Sequence, residues 1–312
     1  MKIVFFGTSE FAASILQRLA GSGHSVAAVV TQPDRKGGRL LKTLTHPVKK
    51  RAKELALPLY QTGGFPDREL SARLKAAGAD LFVVAAFGTI LKKDLLDIPD
   101  VCSLNAHASL LPKYRGAAPV NWAVINGERK TGVSVIRMNE RMDAGDIVIK
   151  RETDIGKDET SEGLSQRLAE MGGTLVLDAI ELIRSGAARF LRQDEAEATF
   201  APKLKKKDGK LDWSADTVSI LNRVRGLKPW PGAYSFIGGR VLKIISAGPV
   251  ATETFSHFSP GEVVAAGAGQ GLFVKTGDGA ISVFELQIEG KKPMRAEPFL
   301  RGHKIEVGKK LG

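Results

Sequence analysis

Residues 3 to 7 read IVFFG, an unbroken apolar run closed by glycine, the pattern of a strand buried on both faces. In TSEFAASILQRLAGSG, which follows, Phe11, Ile15 and Leu19 recur at helical spacing, with Ala12 and Leu16 beside them. Thr8 or Ser9 suits the start of that helix and Gly21 its end. VAAVVTQ (26–32) is a second apolar strand, so the chain opens as a βαβ unit with an expected right-handed crossover. LFVVAAFG (81–88) and VCSLNAHA (101–108) add two more strands. The succession predicts a mostly parallel, Rossmann-like sheet with helices on both faces. GVSVIRM (132–138) and DIVIKRE (146–152) instead alternate with period two, and the loop NERMDAG joins them as a hairpin. Residues 161 to 186 then predict a long helix, with Leu164, Leu168, Leu175 and Ile183 on its apolar stripe, Ser161 as cap and Gly186 as stop.

Past residue 200 the pattern changes. FAPKLKKKDGK (200–210) is charged and nearly free of apolar groups, as a linker would be. A short helix, SADTVSILNRVRGL, leads into the loop KPWPGAYS. Short strands follow in VLKIISA, GEVVAAG, GLFVKTG and AISVFELQIEG, separated by turn residues, as in a small all-β barrel or sandwich. The 312 residues exceed what most single cores hold, and the change in pattern predicts a domain at 1–203, a linker at 204–210 and a second domain at 211–312.

Composition narrows the setting. The 43% hydrophobic content fits a globular chain, and the sequence holds no apolar stretch long enough to span a membrane. MKIVFFG reads as a strand rather than a secretory signal, and the one cysteine, Cys102, has no internal partner, so a reducing, cytoplasmic setting is expected. No coiled-coil or repeated apolar stripe calls for a dimer, so a monomer is expected. The net charge of +12 is concentrated. Residues 34–53 hold eight Lys or Arg against one Asp, 203–210 hold five Lys against one Asp, and 291–310 hold seven basic residues against two Glu. Any one cluster can be an ordinary solvated surface, but three together point to a polyanionic partner such as nucleic acid.

Candidate chemistry gathers at SLNAHASLLPKYRGAAP (103–119). If 101–107 is a strand, Asn105 and His107 point to the same side near its carboxyl end, where open α/β sheets bind ligands. From spacing alone, an ordinary turn is the commoner explanation of such a pair. A working histidine needs an orienting partner, and the hairpin loop supplies Asp143 and Asp146. The five histidines and single cysteine show no metal-ligand spacing, and neither a G-x-S-x-G elbow nor a P-loop is present. The βα turn GTSEFA carries one glycine where a dinucleotide fingerprint has three, which argues against NAD. Asn, His and Asp without a Ser or Cys nucleophile suit a reaction whose substrate brings its own.

SLNAHASLLPKYRGAAP resembles the signature of the folate-dependent formyltransferases. IVFFGT, VTQPDRKGGR, AAFGTIL, TGVSVIRMNERMDAGDI, KPWPGAY and GKKPMRAEPFLRG extend the likeness over most of the chain. The N-x-H and SLLP elements are shared across the formyl-transferring groups, whereas QPDR-x-x-GR, RGAAP and PWPG are similar to the branch that formylates methionyl-tRNA. The resemblance implies a Rossmann-like catalytic domain followed by an OB-like β-barrel that binds tRNA. It implies 10-formyltetrahydrofolate as formyl donor, methionyl initiator tRNA as acceptor, no metal, and a role in translation initiation. Asn105, His107 and Asp143 match the family's catalytic trio, Asp143 being preferred over Asp146 because it heads the M-D-x-G-D pattern. Ser109, Leu110, Leu111 and Pro112 match its folate-binding stretch. The loop bearing Gly38, Arg39 and Lys42 matches an insertion that reaches the acceptor end of the tRNA, and Lys205, Lys206 and Lys207 are further expected tRNA contacts. Ala106 stands where the family often has a larger residue, and Leu40 where it often has glycine. Trp230 and Tyr234 could stack on a base, but packing at a junction is the commoner fate of such residues and is the expectation here.

The alternatives are formyl transfer to glycinamide ribonucleotide or an amino sugar, or hydrolysis of the folate with water as nucleophile. A non-catalytic RNA-binding module is the alternative of another class. The second domain and the basic loop weigh against glycinamide ribonucleotide, the basic loop with RGAAP and PWPG against an amino sugar, and the intact trio against a non-catalytic module; the hydrolase shares a similar trio.

Overall fold

The computed structural model describes residues 1–37, 42–250, 255–267 and 269–312. In chain order its first half contains β1 (Lys2–Gly7), α1 (Glu10–Ala20), β2 (Ser25–Thr31), β3 (Arg35–Gly37), β4 (Lys42–Leu44), α2 (Pro47–Glu54), β5 (Leu59–Gln61), α3 (Arg68–Ala76), β6 (Leu81–Ala85), α4 (Lys93–Leu96), β7 (Cys102–His107), β8 (Arg115–Gly116), α5 (Pro119–Ile125), β9 (Lys130–Arg137) and β10 (Asp146–Asp154). The second half contains α6 (Ser161–Arg184), β11 (Phe200–Ala201), α7 (Thr217–Gly226), β12 (Ala233–Ile237), β13 (Arg240–Pro249), β14 (Val263–Gly267), β15 (Gly271–Lys275), β16 (Ala280–Ile288), β17 (Met294–Arg295) and α8 (Ala296–Gly302).

These elements form two units. The first comprises Met1–Pro119, Lys130–Asp154 and Leu164–Pro202; the second comprises Val120–Arg129, Ile155–Gly163 and Lys203–Gly312. The basic stretch at 203–210 therefore folds with the second unit, as do the short segments Val120–Arg129 and Ile155–Gly163.

The first unit is built on a seven-stranded sheet in the order β10-β9-β7-β6-β1-β2-β5. The five strands from β7 to β5 run parallel, and the β9–β10 hairpin adds the antiparallel edge. Apolar strands sit in the middle because both faces are covered: Ile3, Val4, Phe5 and Phe6 are fully buried, as are Leu81, Phe82 and Val83. Helix α1 buries Phe11, Ala12, Ile15, Leu16 and Leu19, each large apolar side chain stabilising by about 1.5–3 kcal/mol. Ser9 caps it by accepting a bond from the Ala12 amide, and Gly21 closes it. Helix α6 approaches α1 closely, since a Cβ on Gly172 would lie 3.3 Å from Phe11 and Ile15 side-chain atoms, tighter than ordinary contact. Thr160 rather than Ser161 caps α6, its Oγ1 accepting from the Gly163 amide, and Gly186 ends that helix at φ +72°.

In the second unit β12-β13-β16-β15-β14 form one antiparallel sheet, with β17 added to β16. The sequence pattern places residues 233–235 in the loop KPWPGAYS; they open β12, which is paired to β13 throughout. No ladder joins the outer strands β12 and β14 among the described residues, so the sheet is open where a barrel would close. Trp213 plugs this unit, 5% exposed, its Nε1 donating to Ser235 Oγ at 2.9 Å. No helix among the described residues is long and apolar enough to cross a membrane.

Candidate active site

Strand β7 pairs with β6 on one side and β9 on the other, leaving its last residues at the carboxyl end of the parallel sheet. Asn105 and His107 sit there, 8% and 6% exposed. Two residues apart in a strand, they share a face. The hairpin loop between β9 and β10 brings Asp143 over them. Asn105 Nδ2 donates to Asp143 Oδ1 at 3.1 Å, and the Gly116 amide donates to Asp143 Oδ2 at 2.9 Å. His107 Nδ1 lies 3.6 Å from Asp143 Oδ1. The other ring nitrogen, Nε2, lies 2.9 Å from the Tyr114 carbonyl oxygen.

That last contact assigns the tautomer. A carbonyl only accepts, so Nε2 carries the hydrogen and Nδ1 is left with the lone pair in the neutral ring. A backbone carbonyl thus orients His107, where the sequence had suggested a carboxylate. Asp143 faces Nδ1 instead. Asp146 is engaged elsewhere, accepting from Arg137 at 2.6 Å.

The backbone is unusual at both partners of His107. Tyr114 has φ +61° and Asp143 φ +51°, a region that costs most residues about 1–3 kcal/mol and persists only where neighbours enforce it. The enforcing groups are visible. Tyr114 donates its amide to Thr199 Oγ1, and β8 pairs in parallel with β11. Gln193, 5% exposed, donates from Nε2 to the carbonyls of Asp143 and Gly145 at 2.8 and 2.6 Å. Its Oε1 accepts from Nε and one terminal nitrogen of Arg115 at 3.1 and 2.9 Å. Arg115, 3% exposed, also pairs with Glu195 at 2.9 Å, and Arg141 reaches the same carboxylate. The Arg115 hydrogen bond, followed by the charges of Arg115 and Arg141, holds the Glu195 carboxyl below its ordinary value. Gly145 makes the tight exit of the loop possible, because a Cβ there would fall 1.9 Å from the Arg137 carbonyl oxygen.

The sequence profile of the family described as formyl transferase matches residues 1–180, and that of the formyl transferase C-terminal domain matches residues 203–304. The methionyl-tRNA formyltransferase of Geotalea uraniireducens is 45% identical over 312 residues, covering 100% of this chain and 98% of its own. The protein of that name from Halothermothrix orenii is 42% identical, with 100% of both chains covered. The chain belongs to the methionyl-tRNA formyltransferase family.

Solved structures agree with the fold. A sugar 3N-formyl transferase, WlaRD, superposes with a TM-score of 0.65 at 18% identity over 94% of this chain and 99% of its own. HypX of Aquifex aeolicus in complex with tetrahydrofolic acid superposes with a TM-score of 0.63 at 21% identity, over 96% of this chain and 47% of that one.

The other family-matched positions fall as follows. In the stretch 109–112, Ser109 is buried and its hydroxyl donates to the Lys113 carbonyl at 2.6 Å, while Leu111 is packed against Ile136 and Ile147. Leu110 and Pro112 remain partly exposed. Ser134 ties the stretch down, donating to the Ser109 carbonyl and accepting from the Leu111 amide. Gly38 and Arg39 lie outside the described residues; Lys42 is in β4, its side chain also outside them. Lys205, Lys206 and Lys207 are exposed in the second unit, around a 3-10 turn. Trp230, expected to pack, is 54% exposed. Among the described residues no group of three or more His, Cys, Asp or Glu could hold a metal ion. The sequence reading missed Gln193, Glu195 and the Tyr114 carbonyl. The sequence carries no signal for them; the burial of Arg115, which demands a partner, is seen only in the structure.

Proposed function

We propose that this family member transfers the formyl group of 10-formyltetrahydrofolate to the α-amino group of methionyl initiator tRNA, the step that prepares that tRNA for translation initiation. The observation that carries the reading is the convergence of Asn105, His107 and Asp143 at the carboxyl end of β7, in a chain that matches methionyl-tRNA formyltransferases from end to end.

The trio has the groups this chemistry needs. One N–H of the Asn105 amide bonds Asp143, which leaves its second to donate to the formyl oxygen. As the neutral amine attacks the formyl carbon, negative charge grows on that oxygen. A donor so placed contributes about 3 kcal/mol to the transition state. Nδ1 of His107 accepts the proton released by the attacking amine and returns it to the departing folate nitrogen. Asp143 stabilises the imidazolium in between, and its carboxylate is kept in place by Asn105 and the Gly116 amide. The substrate amine is itself the nucleophile, so no covalent enzyme intermediate is required.

The folate is read as lying along 109–112, where Leu110 and Pro112 offer partly exposed apolar surface. The basic loop with Arg39 and Lys42 is read as meeting the acceptor end of the tRNA. We read the open antiparallel sheet of the second unit as an OB-like module, a type that often holds nucleic acid, with Lys205, Lys206 and Lys207 against phosphates. Turnover tests the proposal: 10-formyltetrahydrofolate is supplied with methionyl initiator tRNA, methionyl elongator tRNA or glycinamide ribonucleotide. Formylation of the initiator alone is expected. Turnover with the small amine, or with none of the three, overturns the assignment.

A further inference from the structure

Single exposed apolar residues are common and need no explanation. Trp230 differs from them in two respects. First, its loop is held firmly from below. Asn121 Nδ2 donates to the Gly226 carbonyl at 2.8 Å and Ser161 Oγ to the Lys228 carbonyl at 2.6 Å. The Gly232 amide closes the loop by donating to the Leu227 carbonyl at 3.0 Å, and Leu227 and Pro231 on either side are buried. The indole, 54% exposed, therefore projects from a fixed base rather than a free strand end.

Second, the loop abuts a turn rich in unpaired positive charge. Gly209 approaches so closely that a Cβ there would lie 2.3 Å from the Gly232 carbonyl oxygen and 3.0 Å from the Tyr234 ring. The turn that ends in Gly209 carries Lys205, Lys206 and Lys207, all exposed and without an ion-pair partner among the described residues. Arg223 of α7 anchors the turn by donating to the Asp208 carbonyl, and the Lys205 amide donates to Asp208 Oδ2 at 2.6 Å. Two elements of the same unit are thus locked side by side, one offering a flat π face and the other a run of ammonium groups.

We infer that Trp230 stacks on a base of the bound RNA while Lys205, Lys206 and Lys207 hold the adjoining phosphates. The inference rests on the tRNA-directed reading above. The chemistry that fits is single-stranded or unpaired RNA: every base has a π face, and the backbone beside it carries the phosphates that a lysine turn attracts. Preorganisation of the loop favours it, because the backbone on both sides of Trp230 is already fixed and the cost of ordering it on binding is small.

The experiment measures binding of uncharged initiator tRNA by the full chain at several salt concentrations, with formylation measured in parallel. Trp230→Ala is expected to weaken binding by about ten- to a hundredfold with the salt dependence unchanged, since stacking releases no counterions. Trp230→Phe, which keeps a ring, is expected to restore most of the affinity. Lys206→Ala and Lys207→Ala are expected to lower the salt slope by about one each. Wild-type affinity in Trp230→Ala, or a fall in its melting temperature without loss of binding, assigns the indole to packing and overturns the inference. Formylation by the wild-type chain separates the two readings. If it formylates initiator tRNA and Trp230→Ala binds normally, only the stacking falls. If it binds RNA through Trp230 but formylates none, the reaction falls and the stacking stands.

Discussion

Gln193 is the side chain that holds the Asp143 loop, and removing its donors is the most direct test of the site's construction. Gln193→Glu is the sharper perturbation. It keeps the shape and both contacts from Arg115, but it turns Nε2 into an oxygen facing the carbonyls of Asp143 and Gly145, now 2.8 and 2.6 Å from the donor. Two buried bonds are lost, at about 0.5–1.5 kcal/mol each, and the oxygens left facing one another add a desolvation cost of about 1–3 kcal/mol. We expect a loss of about 3 kcal/mol in unfolding free energy of the first unit, read by urea denaturation. The catalytic consequence follows from Asp143 at φ +51°. Without its clamp the residue relaxes toward ordinary backbone and the carboxylate leaves Nδ1 of His107. We expect kcat to fall by about ten- to a hundredfold with KM for tRNA changed by less than about threefold, the signature of a lost transition-state interaction. Gln193→Ala is expected to do the same, with added cavity cost. A folded Gln193→Glu protein whose kcat lies within about twofold of wild type would refute the claim that this side chain positions Asp143.

Asn105→Ala is expected to lower kcat by about a hundred- to a thousandfold in the formylation assay while leaving folate binding nearly intact. Gly145→Ala should destabilise the β9–β10 hairpin severely, because its Cβ would sit 1.9 Å from a carbonyl oxygen; comparable urea midpoints would count against the geometry. Glu195 should make stability fall in acid. Its folded carboxyl lies below the ordinary 4.5, so its contribution is full above that value and is lost as pH falls through the folded one. Glu195→Gln should accordingly be less stable than wild type at neutral pH, the two curves converging in acid. Burial pushes the Cys102 thiol up to about 11, so alkylation near neutral pH should run well below the rate of a free cysteine thiol.

Much of this was legible from residues alone, and the reason is periodicity. A βαβ opening appears wherever apolar runs alternate with a stripe at helical spacing, because burial on two faces or one imposes that pattern. The same rule put Asn105 and His107 on one side of β7, and alternation announced the hairpin. Residues 233–235 escaped because Pro229, Pro231 and Gly232 gave the segment a loop's composition, while its pairing with β13 is made by backbone groups that carry no sequence signal. The open edge of the second sheet was hidden likewise, since strand count does not determine closure.

By itself the sequence determined the β1–α1–β2 opening, the apolar strands β6 and β7, the β9–β10 hairpin, the long helix α6, and which polar side chains stand at the end of β7. These follow from local propensity and from the two side-chain periods, both properties of neighbouring residues. Tertiary structure alone decided that a backbone carbonyl orients His107, that Asp143 faces its other nitrogen, and that Gln193 and Arg115, 78 positions apart, hold the Asp143 loop. It also decided that Trp230 stands clear of the surface beside a lysine turn. Such contacts join groups distant along the chain, and chain closure brings them together only once every intervening element has packed.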